Sequence, residues 1–185
     1  MCSSDLASFI LSSTKQIVQI QQIVELLTER FGDPLLALAG HRRVYGFPSP
    51  ARLARATEEE LRACKMGFRA PNLLKTARSV ANGEVDLERL RQVGVEEARA
   101  RLLELAGVGR KIADCVLLFA YGYQSAFPVD VWVMKVLQRL YFPRRRMNLK
   151  RLHRFAAEHF GPCSGYAQQY LFHYARTQLG RKGLK

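Results

Sequence analysis

Apolar residues at Ile17, Ile20, Val24, Leu27 and Phe31, with Ile23 beside them, recur at three- and four-residue steps. That spacing lines one face of an α-helix and suits no strand, whose side chains alternate. Gly32-Asp33-Pro34 ends the stretch. Helical signatures return along the chain and predict helices from Pro50 to Ala56, Thr57 to Cys64, Ala70 to Asn82 and Val95 to Leu105. Further helices follow from about Lys111 to Tyr121, Val131 to Tyr141, Leu149 to Phe160 and Ser164 to Leu179. Thr57 with Glu60 reads as a capping box, the hydroxyl and carboxylate each taking a backbone N–H at the helix start. Strand signals are nearly absent and the joints are short turns carrying Gly, Pro or Asn. The fold class is therefore all-α, a compact array of helices.

With 185 residues, 48% of them hydrophobic, the chain can bury a core as one domain, or as one domain built of two helical lobes. Lys and Arg number 29 against 16 Asp and Glu, a formal +13 that points to a polyanionic partner. Ribosomal and membrane-surface proteins share that balance, so charge names a partner class and no chemistry. Arg144-Arg145-Arg146 and Lys150-Arg151, followed by Arg154, form a basic run that reads equally as a solvated loop or as a DNA contact. The four cysteines stand at 2, 64, 115 and 163, without the close spacing that zinc or an iron-sulfur cluster requires. The start Met1-Cys2-Ser3-Ser4-Asp5 lacks the basic region of a signal peptide, and no apolar run has the length of a membrane span. These features read as an intracellular protein with reduced thiols.

The segment Leu103-Glu104-Leu105-Ala106-Gly107-Val108-Gly109-Arg110-Lys111 ends one helix, turns tightly and starts another. It reads as a helix-hairpin-helix. Gly107 and Gly109 permit backbone angles closed to other residues and a close approach of backbone to ligand, and the first N–H groups of the next helix point outward. Such a tip binds phosphate, although a plain glycine-rich helix turn has the same pattern. Lys111 falls in the first turn of the second helix. There the positive end of the helix dipole and partial burial both disfavour an ammonium, which suits an amine nucleophile. Asp130, in Phe127-Pro128-Val129-Asp130-Val131-Trp132, is placed to cap the helix that follows. A carboxylate at that position can also stabilise positive charge developing on a sugar.

With these motifs in hand, the chain closely resembles the helix-hairpin-helix DNA glycosylases that carry a Gly/Pro-rich loop and an aspartate. Within them it is most similar to the 8-oxoguanine DNA glycosylases. The match runs through Phe9-Ile10-Leu11-Ser12-Ser13, Gly67-Phe68-Arg69-Ala70, the hairpin on to Ala113-Asp114-Cys115, Pro128-Val129-Asp130-Val131, and Gly165-Tyr166-Ala167-Gln168 to Leu171-Phe172. The resemblance implies two helical lobes with the active site in the cleft between them, and a bifunctional glycosylase and apurinic-site lyase. Lys111 would attack the sugar C1′ of a flipped nucleotide while Asp130 stabilises the oxocarbenium-like transition state. Cys115 and Phe172 would sandwich the base and Gln168 would hydrogen-bond its Watson–Crick edge. Without the family, Cys115 and Phe172 read as core and Gln168 as a surface residue. Phe68 matches the aromatic wedge that buckles the duplex and Arg69 the residue that reaches the unpaired cytosine; unaided, they read as a loop anchor and a solvated charge. Gly107, Val108 and Gly109 would hold phosphate. The backbone carbonyls of Leu103, Leu105 and Val108 match those that hold a monovalent or divalent cation, and no cofactor is required for the chemistry.

Thr14 and Lys15 stand where the eukaryotic enzymes place an asparagine to fill the hole left by the flipped base. Gln19 replaces a second arginine on the estranged cytosine, which predicts looser discrimination of the opposite base. Trp132 replaces a histidine, exchanging a polar or phosphate contact for stacking or packing. The matching sequence starts at Phe9, so the sheet-rich N-terminal domain usual in the family is expected to be absent, with its carbonyl that detects the proton on N7 of 8-oxoguanine. The expected partner is double-stranded DNA with an oxidised purine or abasic site, met by a monomer away from membranes, in a bacterial cytoplasm or nucleoid or a eukaryotic nucleus. Two alternatives stay open: a related glycosylase of other lesion preference or a lyase only, and a non-catalytic hairpin module that binds DNA through phosphate contacts alone.

Overall fold

A computed structural model describes residues 2–13, 16–35, 43–144 and 147–179. Ten α-helices follow one another among them: α1 Cys2–Ser12, α2 Ile17–Phe31, α3 Pro50–Ala54, α4 Glu58–Leu61, α5 Ala70–Ala81, α6 Val95–Leu103, α7 Arg110–Phe119, α8 Val131–Tyr141, α9 Leu149–Phe160 and α10 Ser164–Tyr174. Extended backbone meets at one isolated antiparallel bridge, Pro34 with Tyr45, and no strand occurs among the described residues. Nor is any described helix long and apolar enough to cross a membrane.

The helix starts obey local chemistry. Thr57 Oγ1 accepts from Glu60 N at 3.1 Å while Thr57 N donates to Glu60 Oε2 at 2.9 Å, the capping box expected from sequence. Ser49 caps α3, with Pro50 in its first turn, and Asn148 caps α9 by accepting from Arg151 N at 2.9 Å. Helices α3, α6 and α7 each end two residues before the expected boundary, and two further predicted helices lose α-geometry earlier still. The one from Thr57 leaves α-geometry after Leu61 and passes through a wide turn, Arg62–Met66, in which Lys65 takes φ +61°. The last predicted helix is α only to Tyr174 and continues to Leu179 as π-type turns.

Helix α1 was not foreseen, and its packing explains why. Leu6 and Ile10 enter one apolar cluster with Leu102, Ile112 and Val116; Ala7 and Leu11 enter a second with Ile23, Leu27, Phe31, Leu61 and Leu73. Buried on two faces, α1 shows no single apolar stripe opposed by a polar one. It ties the two clusters into one lobe, α1–α7. A third cluster gathers Phe127, Val129, Val133 and Leu137 around α8 with Leu152 and Ala156 of α9, and Leu171 and Phe172 of α10 pack against it. Aromatic pairs reinforce it, Phe142 edge-on to Phe155 at 4.8 Å and Tyr141 tilted against Phe155 at 5.0 Å. Helix α10 seats itself on the loop after α7 through Gly165, whose N–H donates to Gln124 O at 2.7 Å.

Candidate active site

The hairpin forms because α6 runs out at Leu103 and the chain tightens into successive i→i+3 bonds, Leu105 N to Leu102 O at 3.2 Å and Val108 N to Leu105 O at 3.1 Å. Gly107 takes φ +78°, which an L side chain resists. Gly109 does not share that need: at φ −90° and ψ 173° it is ordinary extended backbone, correcting the expectation that both glycines supply special angles. What Gly109 supplies is room. A Cβ there would meet nothing within 4 Å. As the N-terminal cap of α7 it offers no side-chain acceptor, so the first-turn N–H groups remain for an outside anion. Val108 is buried in the first cluster and pins the tip. Helix α5 supports the hairpin from behind, Thr76 Oγ1 donating to Ala106 O at 2.8 Å and Asn72 lying against Gly107.

Helix α7 is held to α6 by a buried ion pair, Arg99 Nε to Asp114 Oδ1 at 2.6 Å. Arg99 also meets Glu96, and the half-exposed Arg110 lies 3.7 Å from Asp114 Oδ2. Burial pushes the Asp114 carboxyl up against the pull of Arg99. A pair this buried costs desolvation, and its strict geometry sets how α7 lies on α6.

On the other side of α7, Lys111, Cys115 and Phe119 recur every fourth residue and line an open cavity of about 130 Å³. Pro128 and Asp130 close it from the start of α8, and Gln168, Gln169 and Phe172 from α10. The cavity thus sits between the two lobes. Asp130 caps α8 as expected, Oδ1 accepting from Val133 N at 2.7 Å. Cys115 is 5% exposed, and burial pushes its thiol up to about 11 despite the nearby Lys111 charge. It remains a neutral, polarisable thiol. Gln168 is 4% exposed, which overturns its reading as a surface residue, and its Oε1 accepts from Gln169 Nε2. Phe172 is half-buried, with the Arg176 guanidinium 5.5 Å from its ring centre.

All five residues predicted to catalyse or to hold a base therefore line one cavity. Phe119, Pro128 and Gln169 line it too and were not singled out from sequence; the four-residue step from Lys111 and Cys115 pointed to Phe119. Arg99 was also missed, since nothing in the α6 sequence marks one arginine as buried. The remaining candidates are placed elsewhere. Phe68 is 65% exposed at the mouth of α5, while Arg69 is buried with its guanidinium 4.2 Å from the Phe68 ring centre, a correction to its reading as a solvated charge. Gln19 lies in the first turn of α2, where its Oε1 accepts from Gln16 N at 3.0 Å, so its amide is engaged in a cap. Trp132 packs beside Val136, Leu171 and Ala175. Thr14 and Lys15, and Arg145 and Arg146 of the basic run, lie outside the described residues. Among the described residues no three His, Cys, Asp or Glu side chains gather to hold a metal, so a cation at the hairpin would rest on the carbonyls of Leu103, Leu105 and Val108. Leu105 O already accepts from Val108 N, which leaves it one further lone pair.

Residues 7–162 match the HhH-GPD superfamily of base excision DNA repair proteins. The chain is 41% identical over 117 residues, 63% of its length, to a probable N-glycosylase/DNA lyase of Methanothermobacter thermautotrophicus. It is 34% identical over 177 residues, 90% of its length, to the N-glycosylase/DNA lyase OGG1 of Arabidopsis thaliana. It spans 37% of the first relative and 48% of the second. Among solved structures, the 8-oxoguanine glycosylase/lyase of Clostridium acetobutylicum, in complex with duplex DNA containing cytosine opposite 8-oxoguanine, superposes with a TM-score of 0.87 at 37% identity, over 94% of this chain and 59% of that one. A match over most of its length, a hairpin with an open N-terminal tip, and a lysine and an aspartate on one inter-lobe cavity agree: the chain belongs to the HhH-GPD superfamily of base excision DNA repair proteins.

Proposed function

We propose that the protein is a DNA glycosylase and apurinic-site lyase that removes 8-oxoguanine, or a related oxidised purine, from duplex DNA. The observation that carries this reading is the cavity shared by Lys111, Asp130, Cys115, Gln168 and Phe172. The names of the relatives, glycosylase/lyase and OGG1, support it. The hairpin N–H groups hold a backbone phosphate and the damaged nucleotide is turned out of the stack into the cavity. The Lys111 amine forms a bond to C1′ as the base departs with the electrons of the glycosidic bond. The Asp130 carboxylate, fixed by its hydrogen bond to Val133 N, stabilises the positive charge that develops on the sugar. Ring opening of the sugar gives a Schiff base. Loss of the C2′ proton then expels the 3′ phosphate by β-elimination. Cys115 stays a thiol, pushed up to about 11, so it flanks the base without competing as a nucleophile, and Phe172 covers the other face. Gln168 hydrogen-bonds the Watson–Crick edge. A cation on the carbonyls of Leu103, Leu105 and Val108 would strengthen phosphate binding at the hairpin. Phe68 wedges the duplex and Arg69 turns to the unpaired base. Acting on DNA, the protein works in a nucleoid or a nucleus.

The test is trapping. Duplex DNA with 8-oxoguanine opposite cytosine, incubated with the protein and borohydride, gives a covalent adduct, and Lys111→Gln gives none. Lack of an adduct on both the lesion and an abasic site overturns the reading.

A further inference from the structure

Several surface cations on this chain lie against carboxylates. Arg62 pairs with Glu58 at 2.7 Å, Arg30 with Glu60, Arg91 with Glu88 and Arg101 with Glu104. The start of α9 departs from that pattern. Lys150, Arg151 and Arg154 are exposed, as is Arg144 in the turn before, and among the described residues Lys150, Arg151 and Arg154 make no ion pair. Unmatched like charges on one short stretch repel each other, and a polyanion relieves that repulsion. The helix itself is secured from below by Leu152 and Ala156 and at its start by Asn148, so these side chains are not needed to hold it.

The charges of Arg110 and Arg99 act on His153 of the same helix. Lys150, His153 and Arg154 are spaced three and four apart and share a face of α9. His153 is half-buried toward Arg110, Arg99 and Glu96, the groups around the root of α7, and burial followed by the positive charge of Arg110 pushes its imidazole down to about 4. Neutral at physiological pH, His153 lets α9 lie beside the basic start of α7 without a further like charge. Arg110, the first residue of α7 and next to the hairpin glycine Gly109, is half-exposed.

We propose that the first turns of α9, through Lys150, Arg151 and Arg154 with Arg144 before them, bind DNA backbone phosphates adjoining those held by the hairpin. The duplex is then gripped along two neighbouring tracks. This rests on the reading that the hairpin binds DNA.

The test is the salt dependence of binding to an undamaged duplex, read by fluorescence anisotropy. Each phosphate contact contributes about 0.9 to the slope of log affinity against log salt. Lys150→Gln with Arg154→Gln is expected to lower the slope by about 2, so that the affinity lost between about 50 and 200 mM salt shrinks by roughly tenfold. Arg55→Gln with Arg89→Gln removes the same charge from exposed positions elsewhere and is expected to leave the slope unchanged. Arg151→Gln with Arg154→Gln repeats the test if the first pair lowers the melting temperature. An unchanged slope in the α9 variants, or an equal fall in the control pair, overturns the proposal while leaving the hairpin reading intact. Wild-type protein that binds DNA without salt dependence overturns both.

Discussion

Gly165→Ala is expected to separate base recognition from strand cleavage. A Cβ on Gly165 would lie 2.5 Å from Leu118 Cδ1, 2.7 Å from Ala126 O and 2.8 Å from Gln124 O. Leu118 can change rotamer, but the two carbonyls belong to a loop tied by Ala126 N to Tyr123 O at 2.9 Å and by the Gly165 N–H itself. To restore ordinary contact at 3.4 Å, α10 must withdraw by about 0.7 Å. Overpacking of this kind costs about 1–3 kcal/mol and a weakened backbone hydrogen bond about 1, offset in part by the better helix propensity of alanine. The net loss is about 2–3 kcal/mol, a fall in melting temperature of about 4–12 °C for a chain of this size. Gln168 and Phe172 move with α10, whereas Lys111 and Asp130 sit on α7 and α8. Misplacement by an ångström costs on the order of a hundredfold in rate. Single-turnover excision of 8-oxoguanine should therefore fall about ten- to a hundredfold while cleavage at a preformed abasic site changes little. A variant that melts within about 1 °C of wild type, or loses both activities equally, refutes the reasoning.

The two hairpin glycines should respond differently. Gly107→Ala sets a side chain at φ +78° and 2.8 Å from Asn72 Cβ, costing about 1–3 kcal/mol in thermal or urea unfolding; Gly109→Ala should unfold like wild type yet bind duplex DNA more weakly, because its Cβ stands where phosphate approaches. Stability should also depend on pH through His153, held near 4 against an ordinary 6.5 by burial and then by Arg110 and Arg99. The unfolded chain binds this proton more readily, so the contribution is whole above pH 6.5 and is lost as pH falls toward 4. It amounts to at most roughly 3 kcal/mol. His153→Gln should flatten the pH dependence of urea unfolding in that window, and an unchanged curve refutes the assignment.

Helices α8 and α9 were legible to the residue because each carries one apolar stripe and a capping side chain, Asp130 or Asn148, directly before it. The Asp130 cap was legible as well, since a carboxylate directly before a helix takes a free N–H of its first turn, and Lys111 lines the same cavity as the resemblance implied. Helix α1 was not, because burial on two faces removes the amphipathic signal. The buried state of Arg69 and Gln168, and the choice of Arg99 as partner for Asp114, depend on contacts between residues distant in the chain. Gly109 shows the converse: it was singled out for a backbone angle that it does not adopt.

Helix α5 begins at Ala70, directly after the exposed Phe68 and the buried Arg69, and two turns further on its Thr76 holds the hairpin at Ala106. A single rigid rod therefore carries both the ring that projects from one end and the anion cradle braced on its flank. Inserting one residue early in α5 would advance its start by about 1.5 Å and rotate it by roughly 100°, throwing ring and cradle out of phase. In the function proposed above, the helix would act as a gauge, fixing how far along a bound polymer the second contact falls from the first.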